Sequence, residues 1–259
     1  MPPVHAAVAA LARWRKRSLL DLHPNSAENR YRAERFRLFR KLVLDEVLAT
    51  KGSCAILDVG GTAAYWRAFG AGLDWNRISV VLLNLSSERP ERPQMRSLIA
   101  DARATPFPDM SFDVVHSNSM IEHVGLWPDM RSVAQEIRRL APRYFVQTPY
   151  YWFPIEPHAQ TPFLHWLPEP LQARILMARR SGYYGKADNI ATATERIQSA
   201  FLLDRTQLRW LFPDAKILTE RAFGLPKSIV ALKCRSLSGK KPAASRRHQA
   251  AVEMPNAGG

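Results

Sequence analysis

The chain has 259 residues, 46% of them hydrophobic, enough for one large core, and no apolar run reaches the roughly eighteen residues of a membrane-spanning helix. Its formal charge of +14 invites a nucleic-acid reading, but residues 1–50 and 233–259 each carry five net positive charges and the 182 residues between them only four. No helix-turn-helix, finger or aromatic RNA-binding signature accompanies that charge, which argues against a specific nucleic-acid partner. The two cysteines, Cys54 and Cys234, lie in apolar strand-like runs without metal-ligand spacing. They read as reduced, buried hydrophobes, and a structural zinc site is excluded. The N-terminus lacks the apolar core and cleavage site of a secretory signal, so a cytoplasmic protein is expected.

In chain order, residues 1–25 form a basic segment whose "ALARWRKRSLL" reads either as a solvated helix or as a weak peripheral contact with an anionic membrane surface. From Ser26, Phe36, Phe39, Val43 and Val47 recur at three- and four-residue steps until Lys51-Gly52, which predicts a helix packed on the first strand. Strand-like "CAILDV" (54–59) follows, then helical "AAYWRAFGAG", strand "ISVVLLNL" (78–85), a short "SLIADA" (97–102), strand "FDVVHSN" (112–118), a helix over 129–140 and strand "RYFVQT" (143–148). Apolar strands separated by helices imply a mostly parallel sheet covered on both faces, a doubly wound, Rossmann-like α/β fold. Residues 150–203 break this grammar with many prolines and aromatics and only 169–180 cleanly helical. They read as a lid or substrate insertion within a domain spanning 26–235. A helix over 204–211 and two strands joined by "FGLPKS" predict an antiparallel hairpin at the sheet edge. Residues 236–259 read as a disordered basic tail.

The turn after the first strand runs Gly60-Gly61-Thr62 and is preceded by Asp58. A dinucleotide fingerprint would carry a third glycine where Ala64-Tyr65-Trp66 stand, and a carboxylate at Asp58 repels phosphate but suits an amino group or a sulfonium. These stretches, "ILDVGGTAAYW", "VVLLNL", "ADARATPFPDMSFDVVHSNSMIEHV" and "YFVQTPYYWFPIEPH" in this order, resemble class I S-adenosylmethionine-dependent methyltransferases of the small-molecule, type 11-like kind. The resemblance implies S-adenosyl-L-methionine as cofactor, with Asp58, Gly60, Gly61 and Thr62 around its methionine part. It further implies Asn84 at the ribose, Asp101 and Ala102 at the adenine, and Ser117 and Asn118 at the end of the fourth strand. Asn84 departs from the pattern, which has Asp or Glu there; an amide still bonds a hydroxyl but without charge assistance, implying weaker binding.

Methyl transfer is an in-line displacement, expected here to be metal-free, and needs a nucleophile held on the methyl axis and in many cases a base. "FPIEPH" sets Glu156 and His158 at alternate positions of an extended stretch, so the carboxylate can orient the imidazole. Glu156, His158 and His123 are the candidate catalytic residues, with Glu122 beside them. Their structural alternative is to fasten the lid to the sheet and pack the helix after strand four. A metal reading of Glu156, His158 and His165 lacks a completing cluster, so no metal is assigned. The aromatics between 144 and 166 suit an apolar or ring-containing small-molecule acceptor. Two other classes stay open: a non-catalytic binding or scaffold protein with the same fold, and a nicotinamide-dependent oxidoreductase. The latter is disfavoured by the missing third glycine. A nucleic-acid methyltransferase would carry an Asn/Asp-Pro-Pro-aromatic stretch where "SNSM" stands.

Overall fold

In the computed structural model, residues 30–234 are described; the basic segment 1–25, Ser26 and the tail 236–259 lie outside the described residues. The apolar runs become the strands β1 (Cys54–Val59), β2 (Ile78–Asn84), β3 (Met95–Ile99), β4 (Val114–Asn118), β5 (Tyr144–Pro149), β6 (Lys216–Ala222) and β7 (Leu225–Lys233). They form one sheet in the order β3-β2-β1-β4-β5-β7-β6. The first five strands are parallel, and β7 runs antiparallel to both β5 and β6. Chain direction across the sheet reverses between β1 and β4, where an open α/β sheet offers a ligand crevice at its carboxyl ends.

Side chains of β1 and β5 alternate between two apolar layers, as a pleated strand requires. Ile56 and Phe145 join one layer with Phe39, Val43 and Trp66; Leu57, Tyr144 and Val146 join the other with Met130, Val133, Leu208 and Phe212. The first layer is covered by α1 (Arg30–Phe39) and α2 (Asp45–Lys51), joined through a π-helical turn at Arg40–Leu44, and by α3 (Ala63–Phe69). The second is covered by α4 (Trp127–Leu140) and α7 (Arg205–Leu211). Phe36, Phe39, Val43 and Val47, the periodic residues of the first helical run, are all buried, and Gly52 ends it in a left-handed conformation at φ 79°. Both cysteines are buried and free, and burial pushes the Cys54 thiol up to about 12.

Several boundaries differ from the sequence expectation. α4 starts two residues early because Pro128 sits in its first turn and the Asp129 carboxylate accepts the Leu126 amide at 3.0 Å. The hairpin turn is tighter than "FGLPKS": Phe223 and Gly224 take it at φ 53° and 79°, and Leu225 and Pro226 already belong to β7. Residues 150–203 contain α5 (Glu169–Ala178) and an unexpected helix, α6 (Ile190–Gln198). The Asn189 side chain caps α6 by accepting the Thr192 amide at 2.9 Å. Ala159, Leu164, Ala173, Leu176 and Ala193 give this segment a small core of its own.

Candidate functional site

Two adjoining cavities lie at the carboxyl ends of the strands. The first, about 360 Å³, is built from the ends of β1 (Val59, Gly60), β2 (Leu83 to Ser86) and β3 (Ala100 to Arg103), closed by Met120, His123 and Val124 after β4. The parallel register of β1, β2 and β3 brings these ends level. Gly60 has φ 74°, and a Cβ there would lie 2.4 Å from Met120 Cγ. Glycine therefore serves both the backbone conformation and the close approach of the two loops. Of the residues expected around the cofactor, Gly60, Asn84, Asp101 and Ala102 line this cavity.

The others are placed differently. Asp58 is 1% exposed: its Oδ2 accepts the Trp66 Nε1–H at 2.7 Å, and its Oδ1 lies 2.7 Å from His116 Nδ1. Its carboxylate is thus spent inside the protein rather than presented to the cleft. Gly61 covers it, since a Cβ at that position would fall 2.0 Å from Asp58 Oδ2. Thr62 caps α3, its Oγ1 accepting the Tyr65 amide at 3.3 Å. Ser117 is fully buried and donates to the Val59 carbonyl at 3.1 Å, while Asn118 Oδ1 accepts a bond from Arg35. Ser117 and Asn118, both expected at the crevice, are strand neighbours that face opposite sides, and each side chain is held by a protein partner.

Asn84 lines the cavity while its amide donates to the Gly61 carbonyl at 2.6 Å. The Asp101 carboxylate accepts Arg103 Nε at 2.9 and 3.0 Å, and these bonds hold its pKa below the ordinary carboxylate value. Sequence reasoning missed Leu85, 81% exposed on this cavity. The available signal was an apolar residue just past the polar end of a strand.

The second cavity, about 210 Å³, lies over the ends of β4, β5 and β7. Its lining joins the acid and histidine groups Glu122, His123, Glu156 and His158 with the cations Arg32, Arg35 and Lys227 and the apolar Tyr150, Phe153 and Ile155. The extended "FPIEPH" stretch brings the expected pair together: Glu156 Oε1 accepts from His158 Nδ1 at 2.8 Å. Glu156 Oε2 accepts the Ala159 amide. His158 Nε2 then faces His123 Nε2 at 3.2 Å, and His123 Nδ1 donates to the Ser199 carbonyl at 2.8 Å. Burial depresses the His158 pKa, but the hydrogen bond and charge of Glu156, helped by Glu122, outweigh it and leave the pKa raised. Burial likewise opposes ionisation of Glu156, and His158 outweighs it.

In the same lining, burial pulls the Lys227 ammonium down to about 8 despite Glu220 at 3.3 Å. His165 does not join this group; its Nε2–H donates to the Tyr151 carbonyl at 2.7 Å. Among the described residues, the ligating atoms that come together are those of Glu122, His123 and His158, all within 4.8 Å of one another. His123 lines both cavities.

A family model described as a methyltransferase domain matches residues 57–143, from β1 to the end of α4 and the approach to β5. No curated protein matches the chain. Among solved structures it is similar to the 1,6-didemethyltoxoflavin-N1-methyltransferase of Burkholderia thailandensis, which holds 1,6-didemethyltoxoflavin and S-adenosylhomocysteine (13% identity, 91% of this chain, 92% of that one, TM-score 0.47). It is also similar to a putative methyltransferase from an antibiotic biosynthesis pathway of Anabaena variabilis (17% identity, 69% and 65% covered, TM-score 0.41). A third is the CurJ carbon methyltransferase (11% identity, 71% and 49% covered, TM-score 0.44), of which the chain spans about half the length.

Proposed function

We propose, for a chain that carries a class I S-adenosylmethionine-dependent methyltransferase domain, that it methylates a small-molecule acceptor seated in the second cavity. The observation that carries the reading is His123, which stands between the crevice at the switch point of the sheet and the cavity that holds Glu156 and His158. The first cavity fits the cofactor on its own features: a glycine turn with no room for a side chain, an exposed Leu85 that a flat ring would cover, and polar groups at Asn84 and Asp101. S-adenosylmethionine, when bound, supplies an electrophilic methyl group on a sulfonium.

The roles of the chain's own residues follow from their partners. Asn84 spends its N–H on Gly61 and keeps its Oδ1 for a ribose hydroxyl. Asp101, shared with Arg103, and the Ala102 amide serve the adenine edge. Asp58 supports the glycine turn from beneath. Glu156 fixes His158, and His158 with His123 sets two imidazoles beside the acceptor's reacting group. Tyr150, Phe153 and Ile155 suit an apolar or ring-bearing acceptor, and the wall of Arg32, Arg35 and Lys227 suits an acidic substituent on it. Calorimetric titration with S-adenosylmethionine, S-adenosylhomocysteine and, as control, NADH tests the reading. Binding of the first two alone is expected. Binding of none would leave a scaffold with this fold, and binding of NADH alone an oxidoreductase.

A further inference from the structure

We infer that Glu122, His123 and His158 hold a divalent first-row transition-metal ion in the wall of the second cavity. The inference deepens the reading of that cavity as the acceptor site and rests on it for what the ion does. It replaces the metal-free expectation drawn from the sequence, in which the ligand set considered was Glu156, His158 and His165.

Three independent features converge. The first is tautomeric. His158 donates its Nδ1–H to Glu156 and His123 donates its Nδ1–H to the Ser199 carbonyl, so in neutral rings both Nε2 atoms carry lone pairs. These lone pairs face each other at 3.2 Å, an arrangement that only a proton or a cation between them relieves. Two imidazoles on one tetrahedral ion, each about 2.1 Å from it, stand about 3.4 Å apart.

The second feature is Glu122, on the same short turn as His123. It is fully buried; its Oε2 accepts from Thr148 at 3.0 Å, while its Oε1 has no hydrogen-bond partner among the described residues. A buried carboxylate oxygen without a partner is costly, and a proton held between the two histidines gives it no hydrogen bond. A cation reached by all three groups satisfies it, and their ligating atoms already lie within 4.8 Å of one another.

The third is the outer set of contacts. Each ligand is oriented by its own partner, Glu156 behind His158, the Ser199 carbonyl behind His123 and Thr148 behind Glu122, as metal-binding side chains usually are. Two imidazoles and one carboxylate suit zinc, ferrous or similar ions and leave a coordination position open toward the cavity. An ion there would acidify an acceptor hydroxyl; the proton passes to water, the oxygen forms the new O–CH3 bond, and the methyl–sulfur bond of the sulfonium breaks, leaving S-adenosylhomocysteine as the neutral thioether. The substrate class is therefore a small molecule with a hydroxyl beside a ring or apolar body.

The test uses the full chain, stripped with a chelator and titrated with Co²⁺ while its visible absorption is followed, and with Zn²⁺ against a chromophoric chelator. One ion per chain is expected, with binding lost in His123→Ala and His158→Ala and weakened about 10- to 100-fold in Glu156→Gln. S-adenosylhomocysteine affinity is measured on the wild type and on His158→Ala, which lies outside the first cavity. Failure to take up either ion, with S-adenosylhomocysteine binding intact, overturns the metal site and leaves a shared proton between the histidines. Uptake that survives both histidine substitutions overturns it equally. Loss of S-adenosylhomocysteine binding in the wild type instead overturns the cofactor reading.

Discussion

Asp58 is the next-to-last residue of β1 and is 1% exposed. Its carboxylate joins Trp66 on α3 to His116 on β4 beneath the glycine turn that borders the first cavity. Removing it leaves a buried indole N–H and a buried imidazole N–H without their acceptor, at about 1–3 kcal/mol each. Asp58→Ala is therefore expected to lower the melting temperature sharply and to lose cofactor affinity through the collapsed turn. A normal melting temperature with affinity lost would place the carboxylate at the ligand after all. Asn84 leads to a second expectation. The departure from Asp or Glu looks like weakening, but the amide donates to the Gly61 carbonyl at 2.6 Å, and a carboxylate cannot donate that bond. Asn84→Asp should leave S-adenosylhomocysteine affinity unimproved and reduce stability, by about 1–3 kcal/mol for the unpaired carbonyl and the repulsion beside it. A severalfold gain in affinity by calorimetry would mean that the turn can do without the bond.

At the scale of elements, the turn from β1 into α3 is the part most exposed to substitution. Gly60→Ala strains a backbone at φ 74° and drives a Cβ to 2.4 Å from Met120. It should weaken S-adenosylhomocysteine binding at least tenfold by shifting the loop after β4, whereas Gly52→Ala, at φ 79° with nothing within 4 Å, should cost stability alone. Equal affinities in the two variants would detach the turn from the cleft.

The strands and both sheet faces were legible because apolar runs of five to seven residues bounded by Gly, Pro and Asn signal buried strands without any tertiary information. Helix α6 was not: "IATATERIQ" is short and rich in Thr and Ala, its apolar stripe of Ile190, Ala193 and Ile197 is narrow, and it depends on the Asn189 cap and on Ala193 packing into the small core of residues 150–203. The site divides the same way. Glu156 and His158 were readable as neighbours because alternation in an extended stretch is local. The opposition of His158 to His123, the orphan oxygen of Glu122 and the capture of Asn118 by Arg35 depend on how loops distant in sequence and helix α1 pack over the sheet ends, which no local pattern encodes.

Charges distributed over the whole molecule set its response to acid. Arg35 of α1 reaches Asn118 on β4, Gln147 on β5 and Glu220 on β6, so one buried cation spans the sheet edge. Burial opposes ionisation of Glu220, but Arg35 and Lys227 outweigh it and lower its pKa. Lys233 and Tyr144 do the same against burial at Asp214. Glu136, bonded by Arg139 and by the amide and hydroxyl of Thr105, falls from 4.5 to about 2. Each of these carboxylates binds its proton more readily in the unfolded chain, so stability rises with pH across the interval between folded and unfolded values. Their contribution is present above the unfolded-state values and is lost as pH falls through the lowered folded-state ones, which for Glu136 means from about 4.5 down to about 2. Glu136→Gln removes one of these titrating groups and should flatten the fall in denaturation midpoint between those limits. It should also lower stability at neutral pH, because the charge-assisted bonds to Arg139 are replaced by neutral ones. Urea midpoints measured across that range, with His165→Gln as a control outside the carboxylate set, decide the matter: an unchanged slope in Glu136→Gln would mean that its bonds to Arg139 persist in the unfolded chain or that solvent already screens them in the folded one.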